Sequence, residues 1–196
     1  MEQKQEYTIT AFTENAVGLL NRITIIFTRR HINIESLTVS ASALQGIHKF
    51  TIVVNTTEDQ VQKVVNQIEK LVEVLKSFYH TNDEIVHQEL ALYKLPTKGL
   101  LEGNQVEQIV REHAARILEV TPSFTTIELT GYKHELVLLF ERLDKACGVL
   151  QYTSSGRIAV HRAKQEVLTD HVEALAKLKG ENKIDKVSGK TWDWLT

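Results

Sequence analysis

The hydrophobic period changes twice between Thr13 and Val39, TENAVGLLNRITIIFTRRHINIESLTV, and the change dictates how the chain must be connected there. The segment reads as the end of a strand, a tight turn holding Asn15 and Gly18, one amphipathic helix, and a second strand. Leu19, Leu20, Ile23, Ile26 and Phe27 recur at three- and four-residue spacing and share one helical face, leaving Asn21, Thr24, Thr28 and Arg29 for solvent. Such a helix is marginal alone in water, so its apolar stripe must be buried on a sheet. A turn feeding a helix N-terminus offers free backbone N–H groups and the positive end of the helix dipole, which suit a small anion such as a carboxylate. Gly18, without a Cβ, lets a ligand come close to the backbone.

The order of signals from residue 7 to 80 is strand, helix, strand, strand, helix, strand. Tyr7–Thr13 is the first strand, and Asn33–Ser42 follows the helix with Leu37, Val39 and Ala41 at period two. A turn at 44–47 leads to Lys49–Asn55, where Phe50, Ile52 and Val54 alternate. Thr57-Glu58-Asp59-Gln60 is a capping-box pattern, followed by the stripe Val61, Val64, Val65, Ile68 and Leu71; Val72–His80 is the last strand. Two interleaved β-α-β units of this kind give a four-stranded antiparallel sheet with both helices on one face.

The polar run Thr81–Ile85 marks a domain junction, after which the theme repeats without residue-level identity. Gln88–Leu95 alternates through Leu90 and Leu92, and Pro96–Gly103 reads as a loop. Val106, Ile109 and Val110 face inward from a short helix. Arg116–Thr121 and Thr125–Thr130 are strands around Thr121-Pro122-Ser123. Leu136, Leu139, Phe140 and Leu143 line a helix over Tyr132–Leu143. Gly148–Thr153 and Arg157–His161 close the unit across Ser154-Ser155-Gly156, a hairpin-like turn. The expected class is α+β, with two ferredoxin-like βαββαβ domains in tandem, residues 1–82 and 86–161, and a partly helical tail over 162–196. In that tail Leu168, Val172 and Leu175 share a side of a helix from about Gln165 to Lys179, and Trp192 and Trp194 are candidate anchors for a partner or for the chain's own second domain.

Composition narrows the function. The net charge is −2 with no basic run, against a nucleic-acid surface, and no apolar stretch approaches the ~20 residues that span a bilayer. MEQKQEY lacks the apolar core of a secretory signal, and a single cysteine, Cys147, forms no internal disulfide; both fit a cytoplasmic protein. The chain carries no Gly-rich phosphate loop, GxSxG, HExxH or CxxC motif, so it is not expected to be an enzyme on its own. His80 and His87 flank Asp83 and Glu84, but the spacing matches no standard metal pattern. Arg29-Arg30 at a helix C-terminus satisfies the dipole without any phosphate. Cys147 reads as a small buried hydrophobe.

Three segments carry a family resemblance. The turn, the arginine pair and NIESLTV resemble the N-terminus of the regulatory small subunit of acetolactate synthase (acetohydroxyacid synthase), an amino-acid-sensing ACT domain. Ala115–Pro122, ARILEVTP, and Thr153–Val160, TSSGRIAV, are similar to two later segments of the same family, in the same order. The resemblance covers residues 7–161. His31 departs from it, standing where the family has glycine at the helix end; histidine tolerates the left-handed region better than most bulky residues.

The resemblance implies an effector pocket. N–H groups from Ala16, Val17, Gly18 and Leu19 hold the carboxylate of a branched-chain amino acid, valine first. Asn15 and Asn33 supply side-chain amides, and Leu19, Leu20 and Ile34 form apolar walls. It further implies a homodimer through the ACT domains with the effector between the turn of one chain and Asn33 of the next. The partner is the catalytic large subunit, which carries thiamine diphosphate, FAD and magnesium, none of them in this chain. The small subunit raises the activity of the large one and lowers it again when valine binds, with residues 1–82 sensing and 86–196 helping to grip the partner. The alternative is a free-standing ACT protein that binds an amino acid and regulates another enzyme or a transcription complex.

Overall fold

The computed structural model describes residues 3–42, 46–101 and 104–163; the expected tail helix and the two tryptophans lie outside them. The described residues form two compact units, one running to Ile85 and including 161–163, the other Val86–Val160.

In the first unit the strands are β1 (Gln5–Glu14), β2 (Ile34–Ala41), β3 (Ile47–Thr56) and β4 (Val74–His80), and the helices are α1 (Leu19–Arg29) and α2 (Glu58–Ile68). The sheet order is β2-β3-β1-β4, antiparallel throughout. This is the ferredoxin-like arrangement, and its cause is the alternation of β1: Tyr7, Ile9 and Ala11 face the helices together with Phe50, Ile52 and Val54. They meet Leu19, Ile23 and Phe27 from α1 and Val61, Val64, Val65 and Ile68 from α2. Ile9, Ile23, Ile52 and Ile68 are fully buried, each contributing about 1.5–3 kcal/mol relative to exposure.

Some local expectations fail for physical reasons. Leu20 lies off the buried stripe, 46% exposed, because an i, i+4, i+8 register through Leu19, Ile23 and Phe27 already fills the contact. On the edge strand β2 Ile34 and Leu37 reach the core; Val39 and Ala41 are exposed. Thr57 does cap α2, in extended conformation, but its side chain makes no capping bond. The reciprocal bond is found instead at the junction, where the Thr81 N–H donates to Glu84 Oε2 at 2.8 Å at the start of a short 3-10 turn, Asn82–Glu84. At the end of α1, His31 is left-handed (φ 54), and the Arg30 and Ile32 N–H groups both donate to the Phe27 carbonyl. Histidine thus performs the turn a glycine would make.

The second unit has strands β5 (Ile85–Pro96), β6 (Arg116–Val120), β7 (Phe124–Gly131), β8 (Gln151–Ser154) and β9 (Ile158–His161), and helices α3 (Thr97–Leu101), α4 (Asn104–Glu112) and α5 (Lys133–Cys147). Its order, β6-β7-β5-β8, repeats that of the first unit, but β9 also pairs with β5. The expected hairpin is therefore absent: β8 and β9 run along the same neighbour, with a break between them. The face of β5 also differs from expectation. Ala91, Tyr93 and Leu95 enter the core, while Leu90 is exposed and Leu92 half-buried. Tyr93 anchors the face by donating its hydroxyl to the Leu136 carbonyl at 2.9 Å. Val106, Ile109 and Val110 of α4 and Leu136, Leu139 and Leu143 of α5 complete the core. The segment 97–101, expected as loop, is helical. Gly99 serves contact rather than flexibility there, since a Cβ built on it would stand 2.4 Å from the Cys147 Cβ.

No described helix is long and apolar enough to cross a membrane.

Candidate functional site

The loop that leaves β1 and enters α1 is built by short bonds. The Ala16 N–H donates to the Glu14 carbonyl at 3.0 Å, the Leu19 N–H to Ala16 at 3.3 Å, and the Arg22 N–H to Gly18 at 3.2 Å. Gly18 is the N-cap, with φ 80 and ψ −3, a left-handed conformation that suits glycine. It brings no side chain to cap the helix, and nothing lies within 4 Å of where its Cβ would be. The N–H groups of Val17, Gly18, Leu20 and Asn21 find no partner among the described residues. They surround the positive end of α1, an arrangement whose charge and donors suit an anion.

This differs from the expected donor set. Of Ala16 to Leu19, the two ends are engaged internally, so the open donors are the middle pair and two groups of the first helical turn. Asn15, exposed, lies before the cap rather than at it. Leu19 is 2% exposed and belongs to the core, not to a pocket wall; Val17 and Leu20 are the apolar side chains that face outward. Ile34 is half-buried against the core. Asn33 is exposed, and its amide donates to Glu35 Oε1 at 3.1 Å, which leaves the amide oxygen as the available acceptor.

The structure places Asn33 far from the loop of its own chain. Glu14 pairs with Ile47 at one end of β3 and Ile34 with Val54 at the other. Seven residues of strand separate these levels, about 24 Å at ~3.4 Å per residue. One small molecule cannot touch both within a single copy.

Beside the loop, the Arg22 guanidinium pairs with Glu73, and this hydrogen bond holds the Glu73 carboxyl below its usual range. Neither residue stood out in the sequence, because they are distant along the chain and each is an ordinary surface type. Also missed was a run of rings on the other face of the first sheet. Phe12 lies 6.1 Å from Phe78, Phe78 5.1 Å from His80, and His80 4.3 Å from His161, centroid to centroid. Burial, and then the neighbouring His161, push the His80 imidazole below its ordinary value. His80 and His87 do not converge: His80 meets His161 and Glu84, while His87 packs edge-on against Tyr132. Among the described residues no three His, Cys, Asp or Glu side chains form a cluster fit for a metal. Arg30 donates through Nε to Gln67 at 2.9 Å, a bond between the helices rather than a phosphate grip. Cys147 is half-buried, and burial raises its thiol above the ordinary value, away from reactivity.

Comparison with known proteins covers both units. Residues 9–76 match the family described as AHAS small subunit-like ACT domain, and residues 88–163 the family described as small subunit of acetolactate synthase. The acetolactate synthase small subunit of Bacillus subtilis is 33% identical over 159 residues, covering 81% of this chain and 91% of that protein. Its counterpart in Mycolicibacterium smegmatis is 30% identical over 161 residues, 82% and 94% of the two chains. The crystal structure of the small subunit from Thermotoga maritima shares the fold, with a TM-score of 0.74 at 24% identity over 82% of this chain and 99% of that one. Two units matched in the family's order, and relatives aligned over nearly their whole length, show that this chain belongs to the acetolactate synthase small subunits, the regulatory and non-catalytic subunits of that enzyme.

Proposed function

We propose that the loop from Asn15 to Leu20 senses a branched-chain amino acid, valine first, and that its occupancy lowers the activity of the catalytic large subunit. The observation that carries this is the open ring of N–H groups at Val17, Gly18, Leu20 and Asn21, flanked by outward-facing Val17 and Leu20. The donors take the carboxylate and the apolar pair takes a short branched side chain. One methylene in such a pocket is worth only about 1–3 kcal/mol, so valine is preferred over leucine mildly.

The separation of Asn33 from the loop supports a site shared by two copies. β2 is an edge strand, open to pairing. If a second copy sets its β2 antiparallel to this one, its Asn33 arrives at the level of Asn15, and the amide oxygens of both accept from the effector's ammonium. Residues 1–82 are then the sensing domain, and residues 86–196 help to hold the large subunit. Thiamine diphosphate, FAD and magnesium belong to the large subunit, where pyruvate condenses to acetolactate in the cytoplasm. Feedback of this kind requires valine to bind one state of the assembled enzyme more tightly than the other.

The test is acetolactate formation from pyruvate by the large subunit alone, by this chain alone, and by the mixture, each with and without valine. Expected are weak activity, none, and strong activity that valine lowers. A mixture no more active than the large subunit, or one indifferent to valine, leucine and isoleucine, refutes the proposal.

A further inference from the structure

Glu73 sits on the turn between α2 and β4, in a stretch the sequence reads only as the start of a strand, yet it is tied to both flanks of the sensing loop. Its backbone carbonyl accepts the Glu14 N–H at 2.9 Å, where β1 gives way to the loop. Its carboxylate engages the Arg22 guanidinium on the first turn of α1, where the loop ends. The Arg22 backbone N–H in turn donates to Gly18. The chain from Glu14 to Arg22 is thus closed through one residue on a different turn. Glu73 is not a bystander at the surface: its side chain is 24% exposed, and its second oxygen, Oε2, is buried without a hydrogen-bond partner.

We propose that the Arg22–Glu73 ion pair is a clasp that positions residues 14–18 for the effector, acting through the loop rather than on the ligand. The inference rests on the amino-acid-sensing reading above. A loop that holds its binding shape only part of the time binds with an affinity reduced by that fraction. The open N–H groups converge only while Gly18 keeps its left-handed turn and Glu14 stays bonded to the turn before β4. With its Arg22 end 44% exposed, the pair adds little to global stability, so its effect falls on the loop's population of shapes and not on whether the unit folds.

The clasp also predicts an asymmetry. Removing Glu73 leaves Arg22, 44% exposed, to be solvated by water, whereas removing Arg22 leaves a largely covered carboxylate without its main partner. The experiment compares the valine concentration for half-inhibition of the enzyme assembled from the large subunit and the full chain. The variants are Arg22→Ala, Glu73→Ala and the double change, with Arg111→Ala, which breaks an exposed pair with Glu107 on α4, as control. Arg22→Ala is expected to raise that concentration about two- to fivefold, Glu73→Ala less, and the double variant no more than Arg22→Ala alone. The reversed pair, Arg22→Glu with Glu73→Arg, recovers part of the response, and Glu73→Ala, which leaves only a solvated guanidinium, melts with the control. Single variants that respond to valine as the wild type does, effects that simply add, or a response that falls only in step with melting overturn the clasp. A wild-type enzyme that answers to no branched-chain amino acid overturns the sensing reading and the clasp with it.

Discussion

Gly18→Ala separates the backbone role of this glycine from its closeness to a ligand. With φ 80 the residue occupies a region where an L side chain costs roughly 1–2 kcal/mol. The chain itself does not resist the added methyl, since nothing lies within 4 Å of the Cβ position, so that strain is the whole cost. In a unit of this size about 1 kcal/mol moves the melting temperature by about 4–8 °C. Gly18→Asn bears the same Cβ but visits the left-handed region readily, and it is expected to melt close to the wild type. Calorimetry of the three proteins checks this ordering. The sensing response sorts them differently: a carboxylate lying on the Gly18 backbone meets a Cβ in both variants, so both raise the half-inhibiting valine concentration together. An alanine variant that melts like the wild type refutes the conformational reasoning. An asparagine variant with full valine sensitivity refutes the close approach of the ligand.

Asn15→Ala should weaken valine by roughly tenfold to a hundredfold, the loss of a hydrogen bond to a charged group. Because Asn15 and Asn33 lie at opposite ends of one sheet, mixing Asn15→Ala with Asn33→Ala chains should restore part of the feedback, as a mixed dimer keeps one intact site; no recovery in the assay argues against a shared pocket. The first unit should lose stability as pH falls below about 6.5. The unfolded chain takes up a proton on His80 there, while the folded one, with burial, His161 and Lys49 opposing and only Glu84 favouring the charge, resists it. His80→Phe should flatten that acid limb in melts between pH 7 and 5, and unchanged slopes would refute the assignment. Gly99→Ala should destabilise the second unit by about 1–3 kcal/mol through overpacking against Cys147, measured by denaturant unfolding; Cys147→Gly should relieve it.

Much of this was legible in the chain because period and face coincide. The stripes Val61, Val64, Val65, Ile68 and Val106, Ile109, Val110 are buried as their spacing requires. Segments at family spacing identified the small subunits, which sets aside a free-standing regulator of another enzyme. Periodicity fails where neighbours decide. Leu19 and Leu20 are equivalent by type, and only the packing of α1 sends one inward. Gly99 looks like a loop glycine until α5 lies against it. Ala91, Tyr93 and Leu95 win the core side of β5 over Leu90 and Leu92, since Tyr93 finds a buried carbonyl there and the leucines face away from α4 and α5. The donor set of the loop depended on bonds that form only in the folded chain, and Arg22 and Glu73 meet across a separation along the chain that no local pattern spans.

The adjacency of Leu19 and Leu20 has a mechanical consequence. One is locked among close-packed side chains while its neighbour borders the open N–H groups, so the loop has no soft joint between those donors and the interior. A helix is stiff along its axis, and a pull at its first turn is transmitted as a shift of the whole rod, carrying Ile23 and Phe27 over the sheet and displacing the left-handed corner at His31. The far end of that rod is the entry to β2, the open edge of the sheet. A small amino acid bound as proposed would have a lever arm of about 16 Å, eleven residues at 1.5 Å each, with which to move an edge strand.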